Sequence, residues 1–147
     1  MNRATIVLAE DHPSVAEQLR KLLGSAFDVV AVVGHGDALV KTALRLKPDV
    51  VVTDIGMPGL DGIRAAQELV HQMPSLGVVF VTVHNDPGLA RKALEIGSGY
   101  VLKTSAGEEL VDAVAAALDS RRFVSAALGP LEPLLGSTAR PAPTDRT

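Results

Sequence analysis

Asp49-Val50-Val51-Val52-Thr53-Asp54 runs into Ile55-Gly56-Met57-Pro58-Gly59-Leu60-Asp61-Gly62. The first half is short, β-branched and without polar alternation, as a strand buried on both faces must be. The second half is turn chemistry, with Pro and Gly placed where an extended strand cannot continue. A carboxylate, Asp54, therefore stands at the C-terminal tip of a buried strand, the position where open α/β sheets carry out their chemistry.

Outward from this stretch the same grammar repeats. Apolar runs occupy residues 5–9, 27–33, 50–53, 78–83 and 100–102, and each reads as a strand covered on both faces. Helical stripes separate them. The first is Val15, Leu19, Leu22 and Leu23, closed by Gly24; the second is Leu39, Val40, Ala43, Leu44 and Leu46, stopped by Pro48. Ile63, Ala66, Leu69 and Val70 precede Pro74, Leu89, Ala93, Leu94 and Ile96 precede Gly97, and Leu110, Val111, Val114 and Leu118 form the last. Five β/α units imply an α/β fold: a doubly wound, flavodoxin-like, five-stranded parallel sheet of order 2-1-3-4-5 with helices on both faces. Its switch point lies between the first and third strands. These end in Glu10-Asp11 and Asp54.

The 147 residues suffice for one domain with a real core. Hydrophobic residues make up 47% and aromatics 3%, so that core is built from Val, Leu, Ile and Ala. A formal charge of −3 gives no support for nucleic-acid binding by the domain itself. Cysteine is absent, which removes disulfides, thiolate metal sites and thiol nucleophiles. Without a run long enough to span a membrane or a leader-like N-terminus, a cytoplasmic location is expected. The domain is expected over residues 1–125. Residues 126–147 read as a Pro-rich tail or linker with no output domain, since residues 130–147 hold four of the nine prolines. Phe123-Val124-Ser125-Ala126-Ala127-Leu128 reads as a short extension of the last helix.

Parallel strands bring their C-terminal ends to one edge. That edge offers Glu10, Asp11 and Asp54, the Thr82 hydroxyl near the end of the fourth run and the Lys103 ammonium after the fifth. Three neighbouring carboxylates call for a cation, and Mg²⁺, a hard ion that takes oxygen ligands, suits them best, with Mn²⁺ able to substitute. An ionised Asp can attack phosphorus to give an acyl phosphate. Lys103 and Thr82 can then meet the phosphoryl oxygens. Simpler roles stand beside these. Asp61 reads as a helix cap rather than a catalytic acid. Pro58, Gly59 and Gly62 read as turn residues. His12, His35, His71 and His84 are scattered and lack the spacing of a metal site.

Over about residues 4–122 the chain resembles the receiver domain of two-component response regulators. The resemblance rests on Glu10-Asp11, the 54–62 segment, Thr82 and Lys103 in order at strand ends. It implies that Asp54 accepts a phosphoryl group from a histidine kinase or a small donor. It implies Mg²⁺ on Asp11, Asp54 and the Gly56 carbonyl, with Glu10 acting through a water. Tyr100 matches the switch position that turns inward with Thr82 on phosphorylation, remodelling the face of the fourth helix, fifth strand and fifth helix. Partner binding or dimerisation through that face, or through the first and fifth helices, would follow.

Glu10-Asp11-His12-Pro13, Gly99-Tyr100-Val101-Leu102-Lys103 and Arg122-Phe123-Val124-Ser125 resemble the subfamily that usually carries a C-terminal helix-turn-helix. The alternative reading is thus an N-terminal fragment of a DNA-binding transcriptional regulator. One departure is Val83 beside Thr82, where the family often has a smaller residue and where a branched side chain would narrow the path to Asp54. A Mg²⁺-dependent aspartyl phosphatase is a weaker rival, because such enzymes resemble a pattern with a second Asp two residues after the first, and here that residue is Gly56. A phosphoacceptor switch rather than a turnover enzyme is expected.

Overall fold

A computed structural model describes residues 3–129. Its elements follow the expected alternation: β1 (Thr5–Ala9), α1 (Pro13–Gly24), β2 (Asp28–Val33), α2 (Gly36–Leu46), β3 (Val50–Thr53), α3 (Gly62–Gln72), β4 (Gly77–Thr82), α4 (Pro87–Leu94), β5 (Gly99–Leu102), α5 (Ala106–Leu118) and β6 (Phe123–Val124). A 3₁₀ turn, Lys103–Ser105, opens α5, and another, Ala126–Leu128, follows β6. Every strand pairing is parallel, in the order β2-β1-β3-β4-β5-β6.

Strand periodicity of two divides the core. Ile6 and Leu8 of β1 face the layer of α1 and α5, packing with Leu19, Leu23, Leu110 and Val114. Val7 and Ala9 face the other layer, against Leu39, Ala43, Ala65 and Leu69 of α2 and α3. Phe80 and Tyr100 continue that second layer beneath Ala90, Ala93 and Leu94 of α4. Leu23, Leu69 and Leu110 are fully buried, each contributing roughly 1.5–3 kcal/mol by removal from water.

The helix boundaries have local causes. Pro13 and Pro87 sit in the first turns of α1 and α4, where a missing N–H costs nothing. Asp61 accepts from Arg64 N at 2.9 Å, as its capping role requires, and Asp86 caps α4 through Gly88 N at the same distance. Lys47 ends α2 in the left-handed region at φ 50°.

Two expectations are corrected. The sheet has six strands, and residues 123–128 do not extend the last helix. Ser120, at φ 58°, turns the chain back after α5. Phe123 N then donates to Ser98 O and Ser125 N to Tyr100 O, both at 2.9 Å, docking β6 beside β5. Ser125, wholly buried, accepts from Leu102 N at 2.8 Å and donates to a carboxylate oxygen of Glu109. Glu109 also accepts from Ala126 N at 3.1 Å. A strand of two residues has no period to read, because its pairing energy comes from a partner more than twenty residues away in sequence.

The second correction is β2, which is not covered on both faces. It is an edge strand, and Val30 and Val32 are 41% and 42% exposed. The β1–β2 register slips between Ile6 and Val7, leaving Val30 outside the pairing. A bulge of this kind blunts a free edge. The Pro-rich stretch 130–147 lies outside the described residues.

Candidate functional site

The site forms where β1 and β3 end side by side. Asp54 N donates to Ala9 O at 3.0 Å and Glu10 N to Val33 O at 2.9 Å, so the sheet ladder itself carries the acidic residues to one edge. Asp54 is 7% exposed. Its Oδ1 accepts from Ile55 N at 2.7 Å and its Oδ2 from Lys103 Nζ at 3.0 Å. The same Nζ stands 2.7 Å from Glu10 Oε1. One ammonium thus bridges two buried carboxylates from different strands.

The electrostatics follow from this bridge. Burial works to raise the Glu10 pKa, but Lys103 together with the His12 N–H and ring holds it below the ordinary carboxylate range. Burial likewise works against the Lys103 charge, and Glu10 and Asp54 outweigh it, leaving the lysine pKa raised. Folded-state Glu10 therefore contributes stability that is present above its ordinary value of 4.5 and lost as pH falls through the lowered one.

Replacing Lys103 with methionine removes the partner that most lowers the Glu10 pKa, while the His12 N–H and ring remain. The folded pKa is expected to rise toward the ordinary value, and the loss of stability as pH falls from about 7 to about 4 is expected to be shallower than in wild type. At neutral pH the unpaired carboxylates are expected to cost about 3 kcal/mol. Urea midpoints across that range check both statements. Parallel pH slopes in the two proteins would refute the bridge.

The Lys103–Glu10 approach is an ion pair without hydrogen-bond alignment. Asp11 Oδ1 is buried with no hydrogen-bond donor among the described residues, and Glu10 Oε1 has only the Lys103 ammonium beside it. Free oxygen lone pairs in a carboxylate-rich pocket are what a hard divalent cation requires. Gly56 is exposed beside Asp54, and a Cβ there would meet nothing within 4 Å. The donor set fits Mg²⁺.

Thr82 is fully buried, and its hydroxyl accepts from His84 N at 3.2 Å; it makes no hydrogen bond to Asp54. Tyr100 is fully buried as well, and its hydroxyl donates to His84 O at 2.7 Å. The aromatic side chain expected to turn inward on phosphorylation is thus already inside. The His84 peptide joins Thr82 to Tyr100, a link that residue types alone do not signal. Val83 is 68% exposed and lines a cleft of about 760 Å³ between α1 and α5, together with Leu19, Leu22, Lys103 and Ala106.

Burial first, and Asp86 second, push the Tyr100 hydroxyl up to about 12 from 10.0. A raised folded pKa means stability fully present below about pH 10 and lost as pH rises through about 12. Tyr100 is the sole tyrosine and tryptophan is absent, so tyrosinate absorbance reports this one group. The native chain is expected to show little tyrosinate at about pH 11, where the urea-unfolded chain is mostly ionised. Ionisation near pH 10 in the native chain would place the ring in solvent.

His12 is the site residue that sequence reasoning set aside. Its backbone N and its ring Nδ1 both approach Glu10 Oε2, at 3.1 and 3.0 Å, and Nδ1 lies 3.3 Å from Asp11 Oδ1. The hydrogen bond to Glu10, then the Asp11 and Glu10 charges, raise its pKa, opposed by burial and Lys103. The signal was present in the adjacent triplet Glu10-Asp11-His12, although no wider histidine spacing marks it.

A doubly wound sheet with acids at the β1 and β3 ends and a lysine after β5 belongs to the flavodoxin-like α/β class. Within that class, the response regulator receiver domain model matches residues 6–115. The chain belongs to that family and is a receiver domain of the two-component response regulators, which is not an enzyme family. It is 32% identical to the transcriptional regulatory protein DegU of Brevibacillus brevis over 77% of this chain and 49% of DegU. It is 33% identical to the transcriptional regulatory protein RcsB of Escherichia coli K12 over 84% of this chain and 60% of RcsB. The crystal structure of a LuxR-family two-component response regulator from Aurantimonas sp. SI85-9A1 superposes with a TM-score of 0.82 at 34% identity, covering 86% of this chain and 93% of that one. The chain thus spans about half to three-fifths of the curated relatives it matches. Receiver domains generally bind Mg²⁺. Among the described residues, no helix is long and apolar enough to cross a membrane.

Proposed function

We propose that Asp54 is the phosphoacceptor of this receiver. A carboxylate oxygen of Asp54 attacks phosphorus, the new O–P bond forms, and the P–N bond to the donor imidazole of a histidine kinase breaks. The leaving nitrogen recovers its proton from solvent. The observation that carries this reading is Lys103 Nζ shared between Asp54 and Glu10. It is a cation at the acceptor, ready to neutralise a phosphoryl oxygen. Asp11, Asp54 and the Gly56 carbonyl would hold Mg²⁺, with Glu10 acting through water. The ion supplies charge neutralisation to the phosphoryl group.

Thr82 carries the response. A hydroxyl can donate its proton to a phosphoryl oxygen and still accept from His84 N. Through the His84 peptide that movement reaches Tyr100, and through β5 it reaches the face of α4, β5 and α5. Since Tyr100 is already inside, the phosphoryl group tightens an existing tie rather than drawing the ring in from solvent. The ligand biases the equilibrium because its charged oxygens interact differently with the two states. Docking of a histidine kinase, and dimerisation through α4-β5-α5 or through α1 and α5, follow as partner proposals, as does a cytoplasmic location. Phosphate on Asp54 is held as a signal and not turned over, because Gly56 stands where a phosphatase of this chemistry would need a second acid. Residues 1–125 are the receiver on this reading.

Incubation with acetyl phosphate and Mg²⁺, read by intact mass, is expected to add one phosphoryl group that hydroxylamine removes, as it removes an acyl phosphate. No gain, or a phosphoryl group that resists hydroxylamine, would reject the reading. A second reading, the receiver portion of a longer DNA-binding regulator, is favoured by the share of DegU and RcsB that the chain spans.

A further inference from the structure

Ser125 is wholly buried, and its side chain makes bonds that strand pairing does not require. The docking of β6 on β5 is met by main-chain bonds, Phe123 N to Ser98 O and Ser125 N to Tyr100 O, both at 2.9 Å. The Ser125 hydroxyl turns to other groups. It accepts from Leu102 N at 2.8 Å and donates to Glu109 Oε1, while Glu109 Oε2 accepts from Ala126 N at 3.1 Å. Leu102 is itself buried, so removing Ser125 Oγ takes the acceptor from a donor that has little water to turn to.

These bonds close a loop around Lys103. Leu102 ends β5 and precedes Lys103, the first residue of the 3₁₀ turn Lys103–Ser105. On the other side Ala106 N donates to Lys103 O. Ala106 opens α5, and Glu109 lies in the first turn of that helix. The path runs from Leu102 through Ser125 and Glu109 to the start of α5 and back to Lys103. The lysine Nζ must meet Glu10 Oε1 at 2.7 Å and Asp54 Oδ2 at 3.0 Å. A lysine has a flexible stem and no planar fork to fix its direction, so where its ammonium stands depends on where its main chain is held. The receiver match ends at residue 115, short of Ser125.

We infer that Ser125 and Glu109 are positioning residues for phosphoryl acceptance, which fix the main chain from which Lys103 reaches Asp54. Neither touches the reacting atoms. The inference rests on the phosphoacceptor reading of Asp54 and makes β6 a working part of that site rather than an appended strand.

The test uses the full chain, acetyl phosphate and saturating Mg²⁺, with initial rates of phosphorylation read by intact mass. Ser125→Ala is expected to slow phosphorylation about tenfold. Its Mg²⁺ affinity by calorimetry is expected to move less than about twofold, because neither Ser125 nor Glu109 belongs to the oxygen set that would hold the ion. In a Lys103→Met background no ammonium is left to place, and adding Ser125→Ala is expected to change the rate less than about twofold. A purely structural role would slow both backgrounds alike. Glu109→Ala is expected to slow the reaction as Ser125→Ala does. Glu109→Gln, whose amide oxygen can still accept from the Ser125 hydroxyl, is expected to keep at least about half of the wild-type rate. Circular dichroism separates a lost position from a lost fold, and where Ser125→Ala does not fold, Glu109→Ala against Glu109→Gln carries the same comparison. A folded Ser125→Ala protein phosphorylated at the wild-type rate would overturn the inference, as would equal slowing with and without Lys103. Wild type that gains no phosphoryl group would instead reject the phosphoacceptor reading. The positioning of Lys103 is then decided by urea midpoints: shifts from Ser125→Ala and Lys103→Met that add in full overturn it, and a combined shift short of the sum supports it.

Discussion

Asp54→Asn is expected to take up no phosphoryl group from acetyl phosphate and Mg²⁺ by intact mass, while remaining folded. The amide has the shape of the carboxylate, and its oxygen can still accept from Ile55 N as Asp54 Oδ1 does at 2.7 Å. What it lacks is the nucleophilic anion. Its stability is expected to lie within about 1 kcal/mol of wild type, because losing the Lys103 contact and relieving the desolvation of a buried charge oppose each other. Lys103 keeps Glu10 as a partner at 2.7 Å. Mg²⁺ affinity is expected to fall about tenfold or more, since one anionic ligand is gone. A phosphorylated Asp54→Asn protein would move the acceptor elsewhere and remove the basis of the functional reading.

Gly62→Ala is expected to be the most damaging small substitution near the site. A Cβ at Gly62 would lie 1.9 Å from Asp54 O, 2.9 Å from Asp54 C and 3.1 Å from Ile55 Cα. Carbon contacts settle near 3.5–4.0 Å, and all three neighbours are backbone, with no rotamer to yield. The start of α3 must therefore move away from the end of β3, against the Gly62 N to Ile55 O hydrogen bond of 2.8 Å. The expected cost is about 3 kcal/mol, at the upper end of overpacking, seen as a lower urea midpoint with an unchanged slope. Because the same backbone carries Asp54 and Gly56, the phosphorylation rate is expected to fall about tenfold or more even where the fold survives. Gly24→Ala is the control: nothing lies within 4 Å of its Cβ, and a change within about 1 kcal/mol is expected. Equal midpoints for the two variants would show that the contact at Gly62 relaxes without cost.

These predictions rest on different depths of reading. The place of Asp54 at the tip of Val50–Thr53 was legible, because a buried parallel strand announces itself by composition and its end by turn residues. Gly62 was legible as a turn residue, but not as a close contact, since the distance to Asp54 O depends on how α3 packs back on β3. The Lys103 bridge lies between these cases. Sequence put its ammonium at the right edge, and only the packed side chains show it divided between Glu10 and Asp54. The His12 contact was not legible because a lone histidine next to two acids has no distinctive spacing, and its ring meets Glu10 Oε2 only through the fold of the turn after β1.

Sequence alone determined the five β/α units, the sheet order from β2 to β5 and the acids, threonine and lysine at one edge. Those features follow from local burial patterns and from the handedness of parallel crossovers, which act the same way in any chain with this pattern. Tertiary structure decided the rest: the sixth strand held by Ser125 and Glu109, the open valine face of β2, the His84 peptide between Thr82 and Tyr100, and the inward Tyr100 ring. Each of these draws its energy from a partner distant in sequence, or from an edge position that exists only once the sheet is assembled, so no local pattern could encode it.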